Sequence, residues 1–238
     1  MLNEEILLLP EGLLSISQGV PKEWRQKLKY ALLYSHLYAR SSGDKFDALG
    51  KWRSGYSRVM GNLEWATMAN KASSFEPKDE AVIVLSDLLR EKLISDFQPQ
   101  ELAQLDRLIA NVEAAPGSEP PGAAIREQLL SPVQSLNNSD TTIFVHISLI
   151  GVGPVVYTVS VRFRTSQGVD ELFFQQRFAG KHVVGQVSVA VSKRQLSTAR
   201  YEGNGIEQKV RRGLPANADS LLVELSSAGD PKPHALPA

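Results

Sequence analysis

The stretch Pro154-Val-Val-Tyr-Thr-Val-Ser-Val-Arg-Phe-Arg164 decides the fold class of this chain. Every second residue from Val155 to Phe163 is apolar, and most of the residues between them are polar. A period of two is typical of a β-strand with one buried face. Because similar strands recur at regular intervals up to about residue 226, we expect an antiparallel β-sandwich-like module over residues 138–227.

The apolar residues before residue 140 have a different spacing. From Leu49 to Ala66 they recur at helical spacing, and Asp44 can cap a helix that runs to about Asn70. An earlier helix is expected from Lys22 to Arg40, directly after a proline. The sequence therefore predicts an α+β fold in which an N-terminal helical region precedes the β module.

Prolines and glycines mark the remaining boundaries along the chain. Pro77 and Pro99 are suited to open two further helices, and a short helix is expected over residues 123–130. The predicted strands cover residues 141–150, 154–165, 169–178, 182–193 and 220–226, with a broken strand region over 201–210. The predicted organisation is a helical region (1–120), a linker with a short helix (121–137), the β module (138–227) and a disordered tail (228–238).

Composition excludes several classes of protein. The 238 residues include no cysteine, which rules out disulfides, thiolate zinc sites, cysteine nucleophiles and cysteine-linked lipids. The 26 Lys and Arg residues balance 26 Asp and Glu residues, so a nucleic-acid partner is not expected. Common catalytic, nucleotide-binding and metal-binding motifs are absent from the sequence, and we expect no catalytic residue, cofactor or metal.

The amino-terminal sequence bears on localisation. Glu4 and Glu5 stand where a secretory signal would carry Lys or Arg, and the apolar run that follows is short. We expect a protein that is cytoplasmic as made, with signal-independent export remaining open.

Four residues of the first predicted helix share one narrow stripe. They are Arg25, Lys29, His36 and Arg40. The stripe could bind phosphate or lipid headgroups, or it could be the solvated face of an otherwise buried helix.

A second basic cluster lies near the end of the β module. It consists of Lys209, Arg211 and Arg212, directly before a glycine. It is either an ordinary loop or strand-end patch, or a surface that attracts anionic membrane headgroups.

One spacing resembles a known group of proteins. The pattern Trp52-x3-Tyr56-x2-Val59-x2-Asn62-x2-Trp65 is similar to that of bacterial proteins related to Erwinia-type virulence factors, which promote persistence in insect guts. The resemblance implies a bacterial protein of mixed α and β structure that acts on a host or its membranes without recognised catalysis. This chain departs from the group in lacking cysteine, so a lipid-modified cysteine cannot operate here.

The sequence thus favours a non-enzymatic bacterial binding or virulence-type factor that engages a protein partner or an anionic membrane surface. A pore-forming or membrane-perturbing toxin is the first alternative, because the alternation in residues 154–164 would also suit a membrane hairpin. An enzyme of unrecognised type is the second.

Overall fold

The computed structural model describes residues 4–94, 99–115, 120–134 and 139–225. The predicted tail lies outside the described residues, as do parts of the predicted linker and of the polar turn before residue 140. Within the described parts of the chain, no helix is long and apolar enough to cross a membrane.

Helices and strands occur in both halves of the chain. The helices are α1 (Lys22–Ser42), α2 (Leu49–Asn62), α3 (Leu85–Ile94), α4 (Pro99–Ala114), α5 (Gly122–Leu129), α6 (Thr198–Gly203) and α7 (Ile206–Gly213). The strands are β1 (Glu5–Leu9), β2 (Gly12–Ile16), β3 (Trp65–Phe75), β4 (Val82–Val84), β5 (Leu130–Gln134), β6 (Ser139–Gly151), β7 (Val155–Thr165), β8 (Arg177–Ala179), β9 (Val187–Leu196) and β10 (Val223–Glu224).

Eight of the strands form one mixed sheet. Its order is β10-β1-β2-β6-β7-β9-β3, and β5 pairs with the beginning of β6. The β2–β6 pair is parallel, whereas the other pairs are antiparallel. The strands β4 and β8 form a separate two-stranded sheet. The N-terminal region therefore supplies β1, β2 and β3 to the same sheet as the predicted β module.

Helices cover both faces of this sheet. On β6, Ile143, Val145 and Ile147 face an apolar cluster shared with α3, α4 and α5. Phe144 and Ile150 face a second cluster shared with α1, α2, α6 and α7. The α+β class is confirmed, and the β part is the middle layer of three rather than one half of a sheet-on-sheet sandwich.

The first hairpin was not predicted from the sequence. Strands β1 and β2 occupy residues 5–16, and their side chains divide between the two apolar clusters. Strands buried on both faces read as continuous apolar runs, so the alternation that marks the later strands is missing here.

The predicted helix over residues 44–70 is wrong at both ends, since α2 begins only at Leu49, after Ala48 rather than Asp44. The α2 helix ends at Asn62, Glu64 adopts a left-handed φ of 67°, and Trp65 begins β3. The reason is long-range, because β3 hydrogen-bonds to β9 over residues far apart in the sequence. The prediction that Pro77 opens a helix also fails, since β4 intervenes before α3.

The predicted strand region 201–210 is helical instead. Helices α6 and α7 meet at Gly205, which has a left-handed φ of 59°. In α7, Ile206 and Val210 are four residues apart and both join the cluster against α1. The predicted strand over 169–178 is mostly loop, and the one over 220–226 is reduced to β10 after a short 3-10 helix.

Candidate functional site

A cavity of about 140 Å³ lies between α2 and four strands of the sheet, β6, β7, β9 and β3. The helix contributes Trp52, Arg53, Tyr56 and Ser57, which share one face because residues four apart lie one turn from each other. Cross-strand pairing supplies the other wall. The residues His146, Ser160, Ala190 and Ala72 form one row, and Ser148, Thr158, Ser192 and Asn70 form the next.

Aromatic rings build the inner end of the cavity. Trp52 stacks on Tyr56 with ring centroids 5.4 Å apart and planes 4° apart. The His146 ring meets both in edge contact, at 5.1 Å from Trp52 and 5.0 Å from Tyr56. His36 reaches His146 from α1, with 5.3 Å between the ring centroids.

Burial keeps the two imidazoles neutral. Burial lowers the pKa of His146 to about 3, and the positive charges of Arg53 and Lys45 act in the same direction. Burial also holds the pKa of His36 well below its ordinary value of 6.5. Neither ring nitrogen of either histidine has a hydrogen-bond partner among the described residues. These histidines therefore offer uncharged donor and acceptor atoms at pH 7.

Two arginines enter the cavity from opposite walls. Arg53 donates from Nη1 to Ser188 Oγ at 3.1 Å and from Nη2 to Ser160 Oγ at 3.2 Å. Arg194, only 4% exposed, donates from Nη2 to Ser57 Oγ at 2.8 Å. The Nε atoms of both are buried without a described partner. Burial lowers the pKa of both guanidinium groups.

An ion pair is buried nearby at the turn between β1 and β2. Lys45 Nζ lies 3.5 Å from Glu11 Oε2, and the two side chains are 4% and 6% exposed. Burial raises the pKa of Glu11 and lowers that of Lys45, which means that desolvation opposes the charged form of each.

The predicted basic stripe of α1 does not form one surface. Arg25 is buried and bonds Glu5 at 2.8 Å, as well as the carbonyls of Val20 and Ser17. Lys29 also bonds Glu5, at 2.9 Å. Both cations thus tie α1 to β1.

The other two residues of the stripe point to different places. His36 is completely buried among the aromatic rings described above. Arg40 is mostly exposed, and its Nε lies 3.8 Å from Glu11. Headgroup binding by these four residues stays a prediction. Arg40 is the most exposed of the four.

The second basic cluster lies on α7 rather than in a loop or at a strand end. Lys209, Arg211 and Arg212 are all exposed. Arg211 bonds Glu207 at 3.1 Å and stacks over the Tyr30 ring at 5.1 Å. The structure keeps this cluster together on the surface, apart from the cavity under α2.

Sequence reasoning missed the residues that line the cavity. Arg53 and Arg194 are separated by 141 positions, and His146 looks like one polar residue in an alternating strand. The available signal was the polar face of neighbouring strands, which carries His146 on β6, Ser160 on β7 and Ser192 on β9. No group of three or more His, Asp or Glu residues able to hold a metal occurs in the described parts of the chain.

Comparison with known proteins gives similarity of structure only. No family model matches the chain, and no curated protein matches its sequence. A delta-endotoxin is similar with a TM-score of 0.47 and 10% identity, over 78% of this chain and 81% of that one. The activated Cyt2Ba monomer from Bacillus thuringiensis subsp. israelensis is similar with a TM-score of 0.49 and 10% identity, over 78% and 98%.

The Evf virulence factor is a third similar structure. Its TM-score is 0.40 with 6% identity, over 97% of this chain and 88% of that one. It is a virulence factor, the class of protein that the aromatic spacing over residues 52–65 resembles. The chain is similar in fold to two toxins and a virulence factor.

Proposed function

We propose that this chain is a non-enzymatic, virulence-type binding factor that engages a partner protein through the free edge of β3. The observation that carries the proposal is the exposure of this strand. Among the described residues, β3 pairs only with β9, and no described strand pairs with its other edge. From Ala66 to Phe75 every residue is exposed except the half-buried Ala69.

An exposed edge of this kind presents unpaired backbone groups to a second strand. Natural edge strands are commonly shortened or charged to prevent such pairing. The β3 strand is instead 11 residues long, and Lys71 is its one charged residue. At about 3.4 Å per residue it offers a template of roughly 35 Å.

The chemistry of the edge favours an extended peptide segment as its occupant. The register with β9 is regular from Ala69 to Phe75, after one irregularity between Thr67 and Ala69. Met68 and Phe75 are large apolar side chains, 64% and 37% exposed, near the two ends of the strand. A partner strand would gain backbone hydrogen bonds and cover these two side chains.

A displayed library of extended peptides tests this proposal. We expect enriched peptides to bind the chain, to protect β3 amides from hydrogen exchange, and to lose binding to the variant Ser73→Lys. Ser54→Lys is the matched control, because it adds the same charge on the exposed face of α2.

Two results would refute the β3 site. One is equal binding of the peptides to both variants, and the other is unchanged exchange in β3. Self-association that Ser73→Lys abolishes would assign the edge to a second copy of the chain and would overturn the proposal of a different partner.

The α7 cluster supports a second candidate, engagement of an anionic membrane surface. Lys209 and Arg212 are exposed, and they project from a helix whose apolar residues are buried against α1. Exposed basic residues near an anionic surface are attracted by about 1 kcal/mol each.

A further inference from the structure

We propose that the cavity under α2 is a phosphate-binding site, which takes the phosphate group of a soluble monoester or of a lipid headgroup. This inference is independent of the proposed role of β3. It rests on the charge, the free donors and the size of the cavity.

The charge of the lining is entirely positive. Arg53 and Arg194 are its two charged residues, and no described carboxylate forms an ion pair with either. Arg162 lies next to Arg53 on the sheet side and is held by the carbonyl of Phe46 at 2.6 Å. Placing like charges together in a partly buried site is unfavourable without a counterion, so the architecture fits an anion.

The two guanidinium groups in the lining are held in place by hydrogen bonds. Serine hydroxyls hold Nη atoms of both arginines, while the two Nε atoms remain buried without a described partner. His146 adds a neutral ring, 3% exposed, whose nitrogens also lack a described partner. Guanidinium groups recognise phosphate oxygens through paired N–H donors, and a tetrahedral phosphate can accept from several directions at once.

Size and access fit the same ligand. A volume of about 140 Å³ is several times the roughly 10–15 Å³ that a cavity needs to hold one water molecule, so a group of a few heavy atoms has room. His146 and Arg194 form a buried floor, whereas Ser57, Asn70 and Ala72 are exposed at the mouth. The phosphate would therefore lie inside the cavity, and the group esterified to it would extend out of the cavity beside β3.

Calorimetric titration with inorganic phosphate and with glycerol 3-phosphate tests the site, in chloride buffers of matched ionic strength. We expect both probes to bind, and Arg53→Gln to weaken binding about tenfold or more, which corresponds to the loss of about 1.4 kcal/mol. Arg58→Gln is the control, because Arg58 lies on the same helix but stacks on Tyr38 outside the cavity. Arg194→Gln is the second variant in the lining of the cavity. If it does not fold, Ser192→Ala takes its place, because Ser192 also lines the cavity.

Vesicles distinguish the two sources of phosphate. Binding to phosphatidylcholine vesicles that contain phosphatidic acid, lost in Arg53→Gln, assigns the site to a lipid headgroup. Binding of glycerol 3-phosphate without binding to these vesicles assigns it to a soluble ester. The proposal is overturned if neither phosphate probe binds at millimolar concentration, if Arg53→Gln binds as the wild type does, or if acetate binds as tightly as phosphate.

Discussion

Replacing Trp52 by Ala removes the largest ring at the centre of the aromatic cluster. Trp52 is 1% exposed. Its ring centroid lies 5.4 Å from that of Tyr56, 5.4 Å from that of Phe144 and 5.1 Å from that of His146. Its side chain joins α2 to β6 across the interface of the helical layer and the sheet. The loss therefore affects both the packing of α2 and the wall of the cavity.

The expected destabilisation is about 3–5 kcal/mol, as for other buried aromatic truncations. We expect the upper half of this range, because the stacked and edge contacts each add about 0.5–1.5 kcal/mol beyond burial. At about 2–4 °C per kcal/mol for a chain of this length, the melting temperature should fall by at least roughly 8 °C.

Thermal unfolding followed by circular dichroism measures this shift, and Trp24→Ala is the matched control. Trp24 is half-buried and makes one edge contact with Tyr201 at 5.7 Å, so its removal should lower the melting temperature clearly less. Equal shifts for the two variants would refute the view that the ring cluster under α2 is a main source of stability.

Three further predictions concern charge. Because burial lowers the pKa of His146 to about 3, its contribution to stability is complete above about pH 6.5 and is lost as the pH falls towards 3, by up to about 1.4 kcal/mol per pH unit. Denaturant unfolding should show a shallower loss of stability between pH 6 and 4 for His146→Phe than for the wild type. Neutralising Lys209, Arg211 and Arg212 should weaken any binding to anionic vesicles, and salt should do the same because screening acts over about 10 Å at 0.1 M. Vesicle binding that is insensitive to both salt and the substitutions in α7 would contradict the proposed role of this cluster. Arg25→Gln should instead lower the melting temperature, since Arg25 bonds Glu5 inside the fold.

Local patterns were sufficient for several elements. The helix predicted from Lys22 to Arg40 is α1, and the helix predicted after Pro99 is α4. The alternation in residues 154–164 marks β7 within one residue of its start. These elements have strong periodicity or a clear first residue, so neighbouring positions in the sequence carry enough information to define them.

The errors occur where distant partners decide the structure. Residues 65–70 continue the helical spacing of α2, yet pairing with β9 places them in a strand. Residues 206–210 alternate weakly, yet packing of Ile206 and Val210 against α1 favours α7. The free energy of these contacts depends on chain segments more than 100 positions away, which no local window contains.

Sequence patterns alone are enough to predict the α+β class, the absence of cysteine chemistry and the resemblance of the spacing over residues 52–65 to virulence factors. Which charged residues are available to a ligand depends instead on the packing of the folded chain. It buries Arg25 against Glu5, whereas it brings Arg53, His146 and Arg194 together around one cavity. The environment of a charge is set by what packs against it in three dimensions, and the strands that carry His146 and Arg194 lie far from α2 in the sequence.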